Sequence, residues 1–274
     1  MIKMGTLIAS ALVAVTATMS GSDAKSDTKF VGGGTSVFHD GVPADQVEFL
    51  SSPDRIISVA SSNSPSLIWE TLEHGERVEC LQCIPVITGL LYDEHSQTRE
   101  IAAWWLRRRI FGVFGDGQAY QQTINALKSD PNAQRRAYAA SALGEFLDAG
   151  GIQPLSDAIS TDSSPIVRAA AAKALGRMNS AGNGALGKAM TDSDESVRIA
   201  AIQAASRVNE FTDEQTAAKL TGDSSSTVRR LGVQLLEDLH AKDTVASVMT
   251  LAQSDADVNV RIAACHAGGF FRDS

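Results

Sequence analysis

The sequence predicts an all-α fold, a solenoid of stacked helical hairpins, from two observations. The first is a pair that recurs six times, an Asp followed six positions later by an Arg. The Arg residues of successive pairs are 37, 32, 30, 31 and 32 positions apart. A fixed period of about 30 residues indicates stacked copies of one small structural unit. The pairs are Asp93/Arg99, Asp130/Arg136, Asp162/Arg168, Asp192/Arg198, Asp223/Arg229 and Asp255/Arg261.

The second observation is the spacing of apolar residues around each Arg. In the copy that begins at Val167, apolar side chains recur at i, i+3, i+4, i+7 and i+8, on one stripe of an α-helix. These positions are Val167, Ala170, Ala171, Ala174 and Leu175. Second helical stretches begin near Tyr120, Ile152 and Thr244, between the Arg-bearing helices. Each unit is therefore a hairpin of two helices, which buries its apolar face only by stacking on its neighbours.

The pattern D-x(3–4)-V-R-x-A-A-x-A-L-G in these copies resembles HEAT repeats, in the short form of phycobilin-lyase-type proteins. The resemblance extends over residues 84–274. It implies that the twelve Asp and Arg residues are structural and form a ladder between neighbouring repeats. It also implies that each Asp lies at the turn before a helix, where a carboxylate can cap backbone N–H groups. We therefore expect no catalytic role for these residues.

The repeats do not fill the whole chain. Residues 93–274 are predicted to hold five full repeats and one partial repeat, and residues 45–92 a degenerate N-terminal helical cap. Terminal units of a solenoid are atypical because they close its core. In the cap, Asn63 and Trp69 take the positions of the Asp and the Arg. The partial repeat ends in two glycines and two phenylalanines at residues 268–271, and we expect the phenylalanines to fold back as a cap rather than await another chain.

The N-terminus has the features of a secretory signal peptide over residues 1–24. Lys3 precedes an apolar stretch of small residues, and Ser-Gly-Ser-Asp-Ala follows it. This stretch is short for a membrane span, and no other segment of the sequence could form one. We expect bacterial export to the periplasm or the medium, with cleavage after Ala24 or after Ala17; an uncleaved anchor is the alternative. Residues 25–44, rich in Gly and Ser, are expected to be a flexible lead-in.

The charge and the motifs of the chain argue against several classes of function. The formal net charge is −8, and it stays at −8 without residues 1–24, which contain one Lys and one Asp. An acidic chain whose one basic run is residues 107–109 is a poor nucleic-acid binder. The sequence has no nucleophile elbow, zinc-protease helix, phosphate-binding loop or dinucleotide fingerprint. We therefore expect a protein that is not an enzyme and that takes no cofactor and no metal.

One region departs from the repeat pattern in a way that suggests a binding patch. Trp104 takes a position where the other units have small or polar residues. These residues are Ser141, Lys173, Gln203, Gln234 and His266. Three arginines follow, Arg107, Arg108 and Arg109, and Trp and Arg are enriched in binding hot spots. Extra apolar bulk that caps the stack, with Arg at a helix C-terminus, is the alternative. Trp105, in contrast, takes an Ala position of other units and is predicted to lie in the core.

The second departure is the pair Cys80 and Cys83, directly before Ile84 and Pro85. We favour a structural disulfide, as in other exported proteins. The alternatives are reduced thiols, a crossed pair with Cys265, or a redox or metal function, since Cys83 is predicted at a helix N-terminus. A c-type haem site needs a His where Ile84 stands, and a zinc site needs two further ligands. Cys265 itself is expected to be half-buried, because small or aliphatic residues hold its position elsewhere.

Together these features predict an exported, non-catalytic scaffold that binds another protein or a peptide. Its second helices are expected to line one binding face. Trp104, Arg107, Arg108 and Arg109 are the candidate anchor patch. A thiol–disulfide or metal-linked role of the cysteine pair is one alternative. A bilin-lyase-like enzyme subunit, implied by the resemblance alone, is another, and the signal peptide and the lack of a recognisable site argue against it.

Overall fold

The computed structural model describes residues 52–111 and 117–273, which lie in one compact unit spanning Val42–Ser274. In the described ranges the chain forms fourteen α-helices and four short 3₁₀ turns, and it forms no strand. The prediction of an all-α solenoid is therefore confirmed. The predicted signal peptide, the predicted lead-in and residues 112–116 lie outside the described residues.

Helices of two kinds alternate along the chain after an N-terminal pair, α1 (Pro53–Ala60) and α2 (Pro65–His74). Six helices carry the Arg of each unit: α4 (Ser96–Arg107), α6 (Ala133–Phe146), α8 (Pro165–Arg177), α10 (Glu195–Ala205), α12 (Ser226–Asp238) and α14 (Val258–Asp273). Six partner helices precede them: α3 (Cys83–Leu90), α5 (Gln118–Ser129), α7 (Ile152–Thr161), α9 (Ala185–Ala189), α11 (Glu214–Lys219) and α13 (Val245–Ser254). Among the described helices, none is long and apolar enough to cross a membrane.

Each Arg-bearing helix begins three residues after the Asp of its unit, and a polar side chain caps the start of four of the six. Before α6, Asn132 Oδ1 accepts hydrogen bonds from the N–H groups of Gln134 and Arg135, at 2.8 and 3.3 Å. Before α10, the Asp194 carboxylate accepts from the Ser196 N–H group at 2.9 Å. The first turn of a helix leaves its N–H groups without intrahelical partners, so these caps fix where the capped helices start.

Small residues let the Arg-bearing helices approach one another closely. A Cβ atom added to Gly144 in α6 would lie 2.8 Å from Ala174 in α8. One added to Gly176 in α8 would lie 2.7 Å from Ala204 in α10. Real Cβ atoms do not make contacts this short, so any larger residue at either glycine would push two neighbouring helices apart. Alanines of the stripe predicted from the sequence therefore lie at these close contacts between helices.

The C-terminal unit differs from its predicted form. Phe270 and Phe271 do not fold back, because α14 continues through both residues to Asp273. Phe271 is buried ten residues after the Arg of its unit, at the position that Phe146 holds in α6. Cys265 is also not half-buried but exposed, because no described residue covers its position on α14.

Candidate functional site

Four ion pairs join neighbouring repeats, each from the Arg of one unit to the Asp of the next. In the first, Arg136 Nε and Nη2 donate to Asp162 Oδ2 and Oδ1 at 2.7 and 2.9 Å, as a two-bond fork. Arg136 Nη1 also donates at 2.9 Å to the carbonyl of Asp130, in its own unit. The side chains of all four pairs are at most 16% exposed. The pairs are Arg136–Asp162, Arg168–Asp192, Arg198–Asp223 and Arg229–Asp255.

Each Asp also orders the turn before its helix. In all six units its Oδ1 atom accepts a hydrogen bond from the backbone N–H group two residues later, at 2.8 or 2.9 Å. The hydrogen bonds from Arg168 lower the pKa of Asp192, and those from Arg229 lower the pKa of Asp255. In the four cross-linked units, one carboxylate thus holds both a turn and the preceding unit, which is the geometry of a structural cross-link.

The ladder is not continuous, and its expected rung between Arg99 and Asp130 is missing. The guanidinium carbon of Arg99 lies 3.8 Å from the ring centroid of Tyr138. Asp130 instead accepts a hydrogen bond from Arg135 Nε at 2.9 Å, and Arg135 lies over the Tyr92 ring. Both arginines therefore lie over aromatic rings at this junction. The interval between the Arg residues of the two units is 37 here, the longest of the five.

The two ends of the predicted ladder also lack a cross-link in the described part of the chain. Asp93 Oδ1 lies 3.0 Å from Nδ1 of His95, in its own unit. Arg261 Nη1 donates to the carbonyls of Asp255 and Ala256 at 2.7 and 3.2 Å, also in its own unit. These end residues therefore order their own turns, whereas the four inner pairs join units.

Arg109, predicted from the sequence as part of the binding patch, lies in the interior. It is 3% exposed, and its guanidinium carbon lies 3.6 Å from the centroid of the Trp105 ring. Its nitrogens donate to the carbonyl of Trp105 and to those of Gly75, Glu76 and Val78, in and after the turn that follows α2. Burial lowers the pKa of Arg109 to about 10. The prediction is wrong because the position ten residues after the Arg packs on the core in the other units. Those units have Phe146, Met178, Val208, Leu239 and Phe271 there.

The rest of the predicted patch does not form one surface with Arg109. Arg108 is exposed and pairs with Glu76, whereas Arg107 is half-buried at the end of α4. Trp104 is half-buried and packs against the core. Trp105 is fully buried, as predicted, and its Nε1 donates to the Gly75 carbonyl at 3.0 Å.

In the structure, Cys80 and Cys83 form a disulfide and Cys265 is a free thiol. The bridged residues are 1% and 0% exposed, and Cys83 is the first residue of α3. A reactive cysteine needs access to its reaction partner, which neither residue of this bridge has. This geometry favours a structural bridge over the redox alternative.

A groove runs across the Arg-bearing helices. Its larger part, of about 900 Å³, lies over α10, α12 and α14, and a smaller part, of about 340 Å³, lies over α6, α8 and α10. The two parts adjoin, since Gln203 and Arg207 line both. Most lining residues come 1, 2, 5, 8 or 9 positions after the Arg of their unit, a single helical stripe. The expectation that the second helices line the binding face does not hold for this groove. Of those helices, α9 and α11 are only 5 and 6 residues long and present no continuous face.

Acidic residues of the groove already have partners within it. Glu145 in α6 pairs with Arg177 in α8. Glu237 Oε2 in α12 lies 3.0 Å from His266 Nδ1 in α14. These carboxylates therefore connect neighbouring Arg-bearing helices along the groove.

Three basic residues of the groove have no carboxylate partner among the described residues. The side chains of Lys173 in α8 and Arg207 after α10 make no ion pair or hydrogen bond within this part of the chain. Arg230 in α12 donates to the side-chain oxygen of Gln234 at 3.3 Å. Cations without a carboxylate partner therefore lie along the groove, in a chain whose formal net charge is −8.

The groove was not found from the sequence, although a signal for it was present. Position nine after the Arg carries a charged residue in five of the six units. These are Arg108, Glu145, Arg177, Arg207 and Asp238. Trp104 and Arg108 take positions five and nine on α4, so half of the predicted patch lies on the same stripe as the groove. In residues 52–111 and 117–273, no group of three or more His, Cys, Asp or Glu residues could hold a metal ion.

Comparison with known proteins agrees with this architecture. Residues 120–186 and 152–222 match the family of HEAT repeats. The chain therefore carries HEAT-like repeats, and that prediction from the sequence is confirmed. No curated protein matches the sequence.

Solved structures with a similar fold share little sequence with this chain. A HEAT-like repeats protein from the archaeon Thermococcus onnurineus has a TM-score of 0.51 at 14% identity, over 81% of this chain and 97% of that chain. The YibA protein of Escherichia coli has a TM-score of 0.53 at 16% identity, over 84% of this chain and 95% of that chain. The CpcE–CpcF complex of phycocyanin lyase from Nostoc sp. is 18% identical over 80% of this chain and 94% of that chain. Its TM-score of 0.37 carries no argument about the activity of this chain.

Proposed function

We propose that the protein is an exported, non-catalytic binding protein that holds a segment of a partner protein or peptide in the groove across its Arg-bearing helices. The observation that carries this proposal is the groove itself, which continues from α6 to α14. A site that extends over several stacked units suits an extended ligand better than a small one.

The lining of the groove matches the chemistry of a polypeptide. Gln203, Gln234 and Asn259 each offer a donor and an acceptor, as a peptide backbone does. Leu231 and Ile262 supply apolar contact, and Ile262 is 62% exposed. Packed helices lie about 8–10 Å apart, and three residues of an extended chain span about 10 Å. One position per unit can therefore meet about every third residue of an extended segment.

Only part of the predicted anchor patch is kept in this proposal. Trp104 and Arg108 remain candidates because, on α4 and directly after it, they take positions five and nine after the Arg, which line the groove in other units. Arg109 is excluded because its side chain is buried and bonded to backbone carbonyls.

Export rests on the sequence of residues 1–24 and on the pairing of Cys80 with Cys83. A disulfide is typical of oxidising compartments outside the cytoplasm. We include export in the proposal for these two reasons, and the mass measurement described in the Discussion tests it.

A peptide-display selection on the whole protein tests the proposed binding groove. Gln203→Trp with Gln234→Trp fills the groove at a position where Trp104 occurs naturally, so the helices should tolerate both changes. Gln121→Trp with Gln153→Trp places the same substitutions on exposed positions of α5 and α7 as a matched control. We expect peptides that bind the wild type and the control variant but not the groove variant. Enrichment that is equal on all three proteins would reject the groove as the binding site.

A further inference from the structure

We infer that the groove recognises an acidic segment of polypeptide through Lys173, Arg207 and Arg230. This inference rests on the proposed function, and it adds the chemical class of the ligand. The three cations lie on or directly after α8, α10 and α12, which are successive Arg-bearing helices. They line the two adjoining parts of the groove.

The distribution of partners within the groove supports an acidic ligand. The carboxylates of Glu145 and Glu237 are already engaged by groove side chains. The cations Lys173 and Arg207 have no carboxylate partner in the described part of the chain. A ligand carboxylate would therefore meet free donors in this groove, whereas a ligand cation would have to displace an existing partner. Charge-assisted hydrogen bonds of this kind are stronger than neutral ones.

The spacing of the three cations predicts the spacing of acidic residues in the ligand. Because packed helices lie about 8–10 Å apart, an extended chain would present carboxylates to neighbouring units about three residues apart. The apolar surface at Leu231 and Ile262 lies beside Arg230 in the larger part of the groove. We therefore expect acidic residues at intervals of about three, with apolar residues between or after them.

Because of the net charge of the chain, the three cations attract an acidic ligand only at short range. A chain with a formal charge of −8 repels an acidic ligand at long range. Attraction begins only where the ligand reaches the three cations, within about one Debye length.

The composition of the peptides selected in the display experiment tests this inference. We expect peptides that depend on the groove to carry a net negative charge. The triple variant with Lys173→Glu, Arg207→Glu and Arg230→Glu should bind a synthetic copy of the best peptide about tenfold more weakly or worse, measured by fluorescence anisotropy. The control variant reverses three exposed lysines on partner helices, Lys128, Lys188 and Lys219, and should bind as the wild type does. Melting temperatures of both variants establish that they are folded.

The possible outcomes separate this inference from the proposed function. Acidic peptides that bind the wild type and the lysine control but not the variant reversed at Lys173, Arg207 and Arg230 support both this inference and the proposed function. Neutral or basic peptides that are blocked by Gln203→Trp with Gln234→Trp overturn the acidic ligand and leave the peptide groove standing. Equal loss of binding in both charge-reversal variants also overturns it, because the effect would then be one of net charge. Absence of any groove-dependent peptide overturns both.

Discussion

Arg109 lies over the Trp105 ring, with its guanidinium carbon 3.6 Å from the ring centroid, and its guanidinium group joins α4 to the turn that follows α2. Trp105 donates to the same turn, at the Gly75 carbonyl. Arginine offers five N–H donors in a planar fork, so one side chain can serve several carbonyls at once. An arginine therefore occupies a position that is apolar in the other units, because here it pairs backbone groups that no neighbouring helix reaches.

We predict that Arg109→Met destabilises the protein strongly. Methionine takes the equivalent position directly after α8, as Met178, but it would leave the carbonyls of Glu76 and Val78 without their buried donor. The free energy of unfolding should fall by about 2–4 kcal/mol, measured by urea denaturation followed by circular dichroism. Arg108→Met is the matched control, and it should cost about 0–1 kcal/mol because the Arg108 pair is exposed. Equal losses in the two variants would contradict the buried role of Arg109.

The repeat was predictable from the sequence, whereas the burial of Arg109 was not predicted. The Asp–Arg period and the apolar stripe from Val167 depend on local helix geometry, which a sequence pattern records directly. Three consecutive arginines looked like one surface, although consecutive residues point in different directions around a helix. Counting from Arg99 would have placed Arg109 at the position of Phe146, in the core.

The missing rung at Arg99 could not have been predicted in the same way. It depends on Tyr138 and Tyr92, which lie in different units and meet the cations only after the units stack. The groove likewise arises from side chains of five helices, each of which reads as an ordinary polar surface by itself. The missing rung left no periodic signal in the sequence, and the groove left only a weak one, the charged residues at position nine after the Arg.

A double-mutant cycle on the rung between Arg168 and Asp192 measures the strength of the ladder. Asp192→Asn keeps an oxygen that can accept from the Asp194 N–H group, and it removes the charge. Arg168→Met removes the donor. Since the pair is largely buried and bidentate, we expect a coupling energy of about 1–2 kcal/mol in urea denaturation. Arg261→Met, which removes bonds within one unit alone, serves as the comparison for Arg168→Met and should cost less. A coupling energy near zero would mean that stacking of apolar surface alone holds these units together.

The same rung should make the protein sensitive to acid. Arg168 lowers the pKa of Asp192, so the folded state binds that proton more weakly than the unfolded state does. The stabilisation is present above the ordinary pKa of Asp, about 3.9, and is lost as the pH falls through the lowered value. Asp192→Asn should therefore lose less stability than the wild type between about pH 5 and pH 2. Asp243→Asn, at an exposed position, should follow the wild type. Thermal unfolding at a series of pH values measures this, and identical pH profiles for wild type and Asp192→Asn would refute the assignment.

Intact mass of the exported protein, with and without alkylation under native conditions, tests the cysteine assignments and the signal peptide together. We expect a chain that begins near Lys25 and takes one label, at the exposed Cys265. Cys265→Ala should then take none. Cys80 and Cys83 should resist both a mild thiol and the label until the protein is denatured, because both are buried. Rapid reduction of the native bridge would instead support a redox role. A full-length mass with three freely labelled cysteines would reject both export and the bridge, because an unprocessed chain with reduced thiols has met neither a signal peptidase nor an oxidising compartment.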